Sequence, residues 1–148
     1  MPNLIKNFIN YFFKIFNLKL IRTVDQFSNS YRLVLAFKEK NIDYLFDVGA
    51  NEGQFVKELR YYGFNGEILS FEPILSVHEK LKKNSSGDSK WKTFDPIALG
   101  NRNSENSINI SKNTVSSSIF NITSEHLESA PDSKIIMKQS IQERKLDD

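Results

Sequence analysis

Leu4, Ile5, Phe8, Ile9, Phe12, Ile15 and Phe16 recur at three- and four-residue spacing, with Lys6, Asn7, Asn10, Lys14 and Asn17 opposite. This pattern predicts an amphipathic helix over residues 4–16. Lys6, Asn10 and Lys14 interrupt the run well short of the roughly 18–20 apolar residues of a membrane span. Nor does the run read as a secretory leader, which needs an unbroken apolar stretch and a small-residue cleavage site. Two uses fit: weak membrane-surface contact, with Lys6, Lys14, Lys19 and Arg22 near anionic lipid, or a helix laid on the domain or a partner. A second helix is predicted from Thr23, whose spacing to Gln26 suits a capping box. Val24, Phe27, Tyr31, Val34 and Leu35 are its apolar side, and Asn41 its stop.

From residue 44 the period changes. Tyr44-Leu45-Phe46-Asp47-Val48 is a short apolar run that ends in Gly49-Ala50-Asn51-Glu52-Gly53, the signature of a buried parallel strand entering a tight turn. Phe55, Val56, Leu59 and Tyr62 then return to helical spacing, and Gly63 is placed to end that helix. A second strand covers 67–71, and Pro73 suits the first position of the next helix. Ile74, Val77, His78 and Leu81 form the inner side of that helix, and Ser85-Ser86-Gly87 ends it. A third strand is predicted within 91–97. Alternating strands and helices imply a parallel sheet with helical crossovers, an α/β fold. Beyond 100, residues 107–111 alternate as a half-exposed strand, while 135–137 and 141–146 are weaker β-like pieces.

Composition narrows the function. The chain has 148 residues, enough for one domain, with 39% hydrophobic and 26% charged residues, a globular balance. A net charge of +2 gives no basic field for nucleic acid. With no cysteine and only His78 and His126, thiolate sites and a histidine metal centre are not expected. Asn84, Asn109 and Asn121 begin glycosylation sequons, which read as incidental in a chain expected to be cytoplasmic.

The chemistry is expected at the carboxyl ends of the parallel strands. A dinucleotide fingerprint starting at Gly49 would need glycines at 51 and 54, where Asn51 and Gln54 stand instead. Asn51 is the non-glycine type best suited to a left-handed turn. Glu72 lies 19 residues after Gly53 at the end of the second strand, where a carboxylate can accept hydrogen bonds from ribose hydroxyls. Glu52 at the helix start disfavours pyrophosphate. Ribose recognition without phosphate recognition points to a nucleoside-type cofactor, S-adenosyl-L-methionine being the common one, with Asp47 near its ammonium. The plainer alternatives are a turn former or helix cap for Asp47, a flexible loop for Ser116, Ser117 and Ser118, and a solvated side chain for His126.

The run 44–53, YLFDVGANEG, followed by QFVKELRYYGFNGEILSFEP, resembles the FkbM family of S-adenosylmethionine-dependent methyltransferases. WKTFDPIALGNRNSENSINIS at 91–111, SSSI at 116–119 and LDD at 146–148 extend the resemblance over about residues 40–148. It implies a Rossmann-like class I methyltransferase fold, truncated after the third parallel strand, with amino-terminal helices. The implied division is a helical segment over 1–41 and a partial S-adenosylmethionine-binding domain over 42–148. Asp47, Gly49, Ala50, Asn51 and Gly53 match the first cofactor motif, and Glu72 the ribose acid. Ala98-Leu99-Gly100 matches a family motif near the adenine, although Asn101 stands where the family usually has aspartate. The resemblance implies O-methylation of a hydroxyl on a sugar or secondary-metabolite acceptor, a small molecule or glycan, with no residue marked as catalytic base. The family continues with a fourth strand beside the first, so a sheet order three-two-one is expected, with an exposed apolar edge. The alternative is an inactive truncated product or a split subunit that acts only with a complementing chain. Phe46, Phe55 and Phe71 are then expected on elements built for cover on both sides.

Overall fold

The structure, a computed structural model, describes residues 28–120 and 123–147. The amphipathic stretch 4–16 and the Thr23 cap lie outside them. Helix α1 (Asn29–Glu39) begins after Ser28 and ends before Asn41, whose left-handed φ of 55° makes it the stop its residue type predicts. Strand β1 (Tyr44–Val48) leads through the glycine turn into α2 (Gln54–Tyr61). Strand β2 (Glu67–Phe71), helix α3 (Leu75–Ser85) and strand β3 (Trp91–Thr93) follow. The three strands form a parallel sheet in the order β1-β2-β3, with Asp47 opposite Ser70 and Val48 opposite Phe71. This is the predicted βαβαβ alternation, with β1 at an edge.

One face of this sheet is covered. Val34 of α1, Val56 and Leu59 of α2, and Leu81 of α3 pack with Ile68, Phe64 and Trp91 into one apolar core. Leu35, expected on the inner side of the helix, is instead exposed, and Phe37 packs edge-on against Phe64 with centroids 5.4 Å apart. Arg60 ties α2 to the strands beyond it. Its guanidinium donates to Asp88 (2.6 Å) and to the carbonyls of Phe64 (2.9 Å), Gly66 (2.8 Å) and Lys90 (3.2 Å). Among the described residues the opposite face is open along β1, where Tyr44, Phe46 and Val48 are 49%, 47% and 58% exposed. Strand β1 is therefore not the buried strand its apolar run predicts; only Asp47 faces the covered side deeply enough to be buried. Phe46 and Phe55 are exposed, whereas Phe71 is buried.

The chain does not stop at three strands. The segment 91–97, read as one strand, divides after Thr93, and Ile97 opens β4 (Ile97–Leu99) in a second sheet. Strand β5 (Ser104–Ser111), helix α4 (Ser124–Ser129), a short 3-10 turn (Pro131–Ser133) and strand β6 (Ile135–Arg144) follow. The order is β4-β6-β5, with β6 parallel to β4 and antiparallel to β5. The two weak β-like pieces at 135–137 and 141–146 are thus one ten-residue strand. Its pattern lacks alternation, and it is held because both of its edges are paired. The expected half-exposed strand at 107–111 is longer, and residues 108–111 are buried.

The second sheet rests on α3. Ile74 and Val77 pack with Ile108, Ile110 and Ile141. Gln139 bridges the two units, donating to the Pro73 carbonyl (3.0 Å) and accepting from Leu75 N–H (3.3 Å). Pro73 is not the first helical residue. The helix starts two residues later, because Glu72 holds Ile74 N–H in an extended cap. Among the described residues no helix is long and apolar enough to cross a membrane.

Candidate functional site

The turn between β1 and α2 is where every predicted site residue converges. Gly49 (φ 73°), Asn51 (φ 49°) and Gly53 (φ 84°) all take positive φ, which explains two glycines and an asparagine at these positions. Glycine at 53 has a second cause. A Cβ there would meet the Trp91 ring at 2.5 Å, so the turn lies directly on the core indole. At Gly49 a Cβ would meet nothing within 4 Å, which leaves open space beside the backbone.

The hydrogen bonds of the turn decide what it can hold. Gly49 and Ala50 N–H both donate to the Phe71 carbonyl at 3.0 Å, locking the turn to the end of β2. Asn51 N–H donates to Glu72 Oε2 (2.8 Å), Glu52 N–H to Asn51 Oδ1 (2.8 Å) and Gly53 N–H to the Ala50 carbonyl (2.9 Å). All five N–H groups from 49 to 53 are therefore engaged within the protein. A phosphate-binding loop does the reverse, aiming free N–H groups at the anion. Lys80 to Glu52 (2.7 Å) and Asn84 to the Glu52 carbonyl (2.8 Å) anchor the outer side of the turn to α3.

Two carboxylates sit beneath it. Glu72 is 4% exposed, and its oxygens accept from Ile74 and Asn51 N–H. Burial raises its pKa, opposed by those two hydrogen bonds and by His78, and reinforced by the neighbouring Asp47. The carboxylate expected to serve ribose hydroxyls is thus first the clamp that shapes the turn, although each oxygen keeps a second lone pair. Asp47 is 8% exposed, and burial raises its pKa against the opposing bond from Ser70. A relay supports it: Trp91 Nε1–H donates to Ser70 Oγ, and Ser70 donates to Asp47 Oδ2, each at 2.9 Å. Neither acid forms an ion pair among the described residues.

The second sheet supplies a roof. Thr114, at φ 53°, accepts from Asn51 Nδ2 (3.3 Å). With Val115 and Ser117 it closes a cavity of about 210 Å³ that also touches Gly49, Glu72 and Ile108. A smaller cavity of about 120 Å³ reaches from Gly49 and Pro73 to Ala98 and Leu99. Ala98 and Leu99 thus do lie near the turn, from the second sheet. Of the serines read as a flexible loop or a ligand contact, Ser117 lines the larger cavity and accepts from Ser111 N–H, while Ser116 bonds Asn113 and Ser133. The His126 side chain lies outside the described residues. His78 is half-buried and donates from Nε2 to the Phe94 carbonyl (2.7 Å).

Ser70, Trp91 and Thr114 are the residues that sequence reading missed. Ser70 had no local signal: it is the fourth residue of its strand, as Asp47 is of β1, but only the parallel register sets the two side by side. Thr114 had none either, since only the second sheet brings it to the turn. Among the described residues no cluster of three or more His, Asp or Glu side chains could hold a metal ion. Comparison of the chain with protein-family models, with curated proteins and with solved structures finds no match.

Proposed function

We propose that the chain binds S-adenosyl-L-methionine as part of a methyltransferase of FkbM type with a Rossmann-like class I fold. The acceptor would be a hydroxyl on a sugar or secondary metabolite. The observation that carries this reading is the pair Asp47 and Glu72, two buried acids that form no ion pair among the described residues, beside a turn whose N–H groups from 49 to 53 are all engaged. Such a site disfavours an anion and suits a ligand that brings positive charge and hydroxyl donors. A cation beside the pair would offset the desolvation that raises both pKa values.

The cofactor supplies an electrophilic methyl on a sulfonium. In this chain Glu72 would direct its remaining lone pairs to the ribose hydroxyls, and Asp47 would face the ammonium. Gly49 leaves room for close approach, while Ala50, Asn51 and Gly53 hold the turn. Catalysis would then rest on near-attack positioning of the acceptor. No side chain is assigned as base.

Titration calorimetry of the chain with S-adenosylmethionine and with NAD tests the reading. Binding of S-adenosylmethionine without NAD binding is expected, and a preference for NAD overturns it. Glu72→Ala is expected to weaken the affinity by about 1–3 kcal/mol, the scale of a lost buried charged partner. Circular dichroism shows whether the variant keeps its fold. A second reading, a subunit that acts with a complementing chain, is favoured by β1, whose outer edge pairs with no strand among the described residues. Cofactor binding without turnover, with turnover restored by a second polypeptide, is its signature.

A further inference from the structure

The open face of the first sheet is concave where it meets the end of the second sheet. There Phe46, Phe71 and Phe94 line one side of a cavity of about 340 Å³, and Leu99 the other. The three rings form a ladder, Phe46 to Phe71 at 6.2 Å and Phe71 to Phe94 at 5.3 Å between centroids. Phe46 and Phe94 remain 47% and 45% exposed while Phe71 between them is buried, so the two outer rings present apolar surface that nothing in the described chain covers. Arg144 and Lys145 complete the lining. Both are exposed, and among the described residues neither side chain forms an ion pair or a hydrogen bond. The volume falls in the range of small-molecule sites, and an aromatic wall with a few charged groups is their usual composition.

We propose that this cavity binds an amphiphilic anion, a small molecule with an apolar chain or ring and a carboxylate or phosphate head. The apolar part lies against the exposed rings of Phe46 and Phe94, with buried Phe71 as the floor between them, and the head meets Arg144 and Lys145. Two adjacent cations that pair with no acid among the described residues favour an anion over a neutral or cationic head. The concave shape favours a small molecule over the flat face of another protein. The cavity shares Phe71, Ile97 and Leu99 with the smaller one that reaches Gly49. Its occupant therefore sits on the acceptor side of the glycine turn if the cofactor reading holds, but the binding does not depend on that reading.

Calorimetry without any cofactor tests the proposal with four probes of one chain length: octanoate, octyl phosphate, octanol and octylammonium. At least one of the two anions is expected to bind about tenfold or more tightly than octanol and octylammonium, and their relative affinities tell carboxylate from phosphate. The double variant Arg144→Gln/Lys145→Gln, at two exposed positions, is expected to erase that preference while leaving octanol binding unchanged. Phe94→Ala should weaken all four. Equal binding of the four probes, a preference for octylammonium, or no binding overturns the proposal. So does a dimer, seen by sedimentation, that Phe46→Ser dissociates and octanoate does not. A chain that binds octanoate but not S-adenosylmethionine refutes the cofactor reading alone; the converse refutes this one alone.

Discussion

Asp47 and Glu72 show how one residue's surroundings set its effect on stability. Burial raises both pKa values above their ordinary 3.8 and 4.5. The folded chain therefore holds protons that the unfolded chain has released, and stability falls as pH rises from those ordinary values through the raised ones. Asp88 acts in the opposite sense. Burial alone would raise its pKa, but the Arg60 and Lys90 hydrogen bonds and charges outweigh it and the net shift is downward. Its contribution is present above 3.8 and is lost as pH falls through the lowered value. Asp47→Asn is expected to flatten the fall in stability on the rising side of about pH 4, measured by urea unfolding at a series of pH values. An unchanged slope would remove Asp47 from that role. At this scale the sequence was informative wherever a residue type answers to its own backbone. Asn41, Asn51, Gly49, Gly53 and Gly63 all adopt positive φ as their types suggest. The Trp91–Ser70–Asp47 relay was not legible, because its members are 21 and 23 residues apart.

Among the elements, α2 is the one whose anchoring is concentrated in a single side chain. Arg60 in its last turn makes a charged pair with Asp88 and caps three carbonyls that flank β2 and β3. Its fork geometry serves several acceptors at once, which lysine cannot do. Arg60→Ala is expected to destabilise the chain by about 2–3 kcal/mol, the scale of losing charged hydrogen bonds to partly buried acceptors. Arg60→Lys should recover only part of that, and a denaturant series of the three proteins checks both. The helices α2 and α3 were legible because 3.6-residue spacing is a local property. Strand β6 was legible only as two weak β-like pieces, because Ile-Ile-Met-Lys-Gln-Ser-Ile-Gln-Glu-Arg has neither clean alternation nor a continuous apolar run. It is a strand because β4 and β5 lie on either side of it.

At the scale of the molecule, one face of the first sheet is packed and, among the described residues, the other carries exposed aromatic side chains. Parallel sheets are normally covered on both faces, and an uncovered apolar edge strand is a template for unwanted pairing. Tyr44, half-exposed at the start of β1, is packed edge-on against Phe46 at 5.2 Å and belongs to this surface. Tyr44→Lys is expected to reduce concentration-dependent self-association, read by light scattering, with a change in stability of about 1 kcal/mol or less, as for most exposed substitutions. The sequence by itself determined the strand–helix alternation, the glycine turn and the two acids at the strand ends. These follow from periodicity, positive φ and residue type, all of which act within a few residues. Tertiary structure alone decided that Asp47 lies beside Ser70, that Thr114 roofs the turn and that β4, β5 and β6 form their own sheet. It also decided that Arg144 and Lys145 meet the aromatic face of the first sheet. Each of these joins segments distant along the chain, where no local pattern records which will meet, and where burial of Ile74, Val77, Ile108, Ile110 and Ile141 in one cluster settles the arrangement.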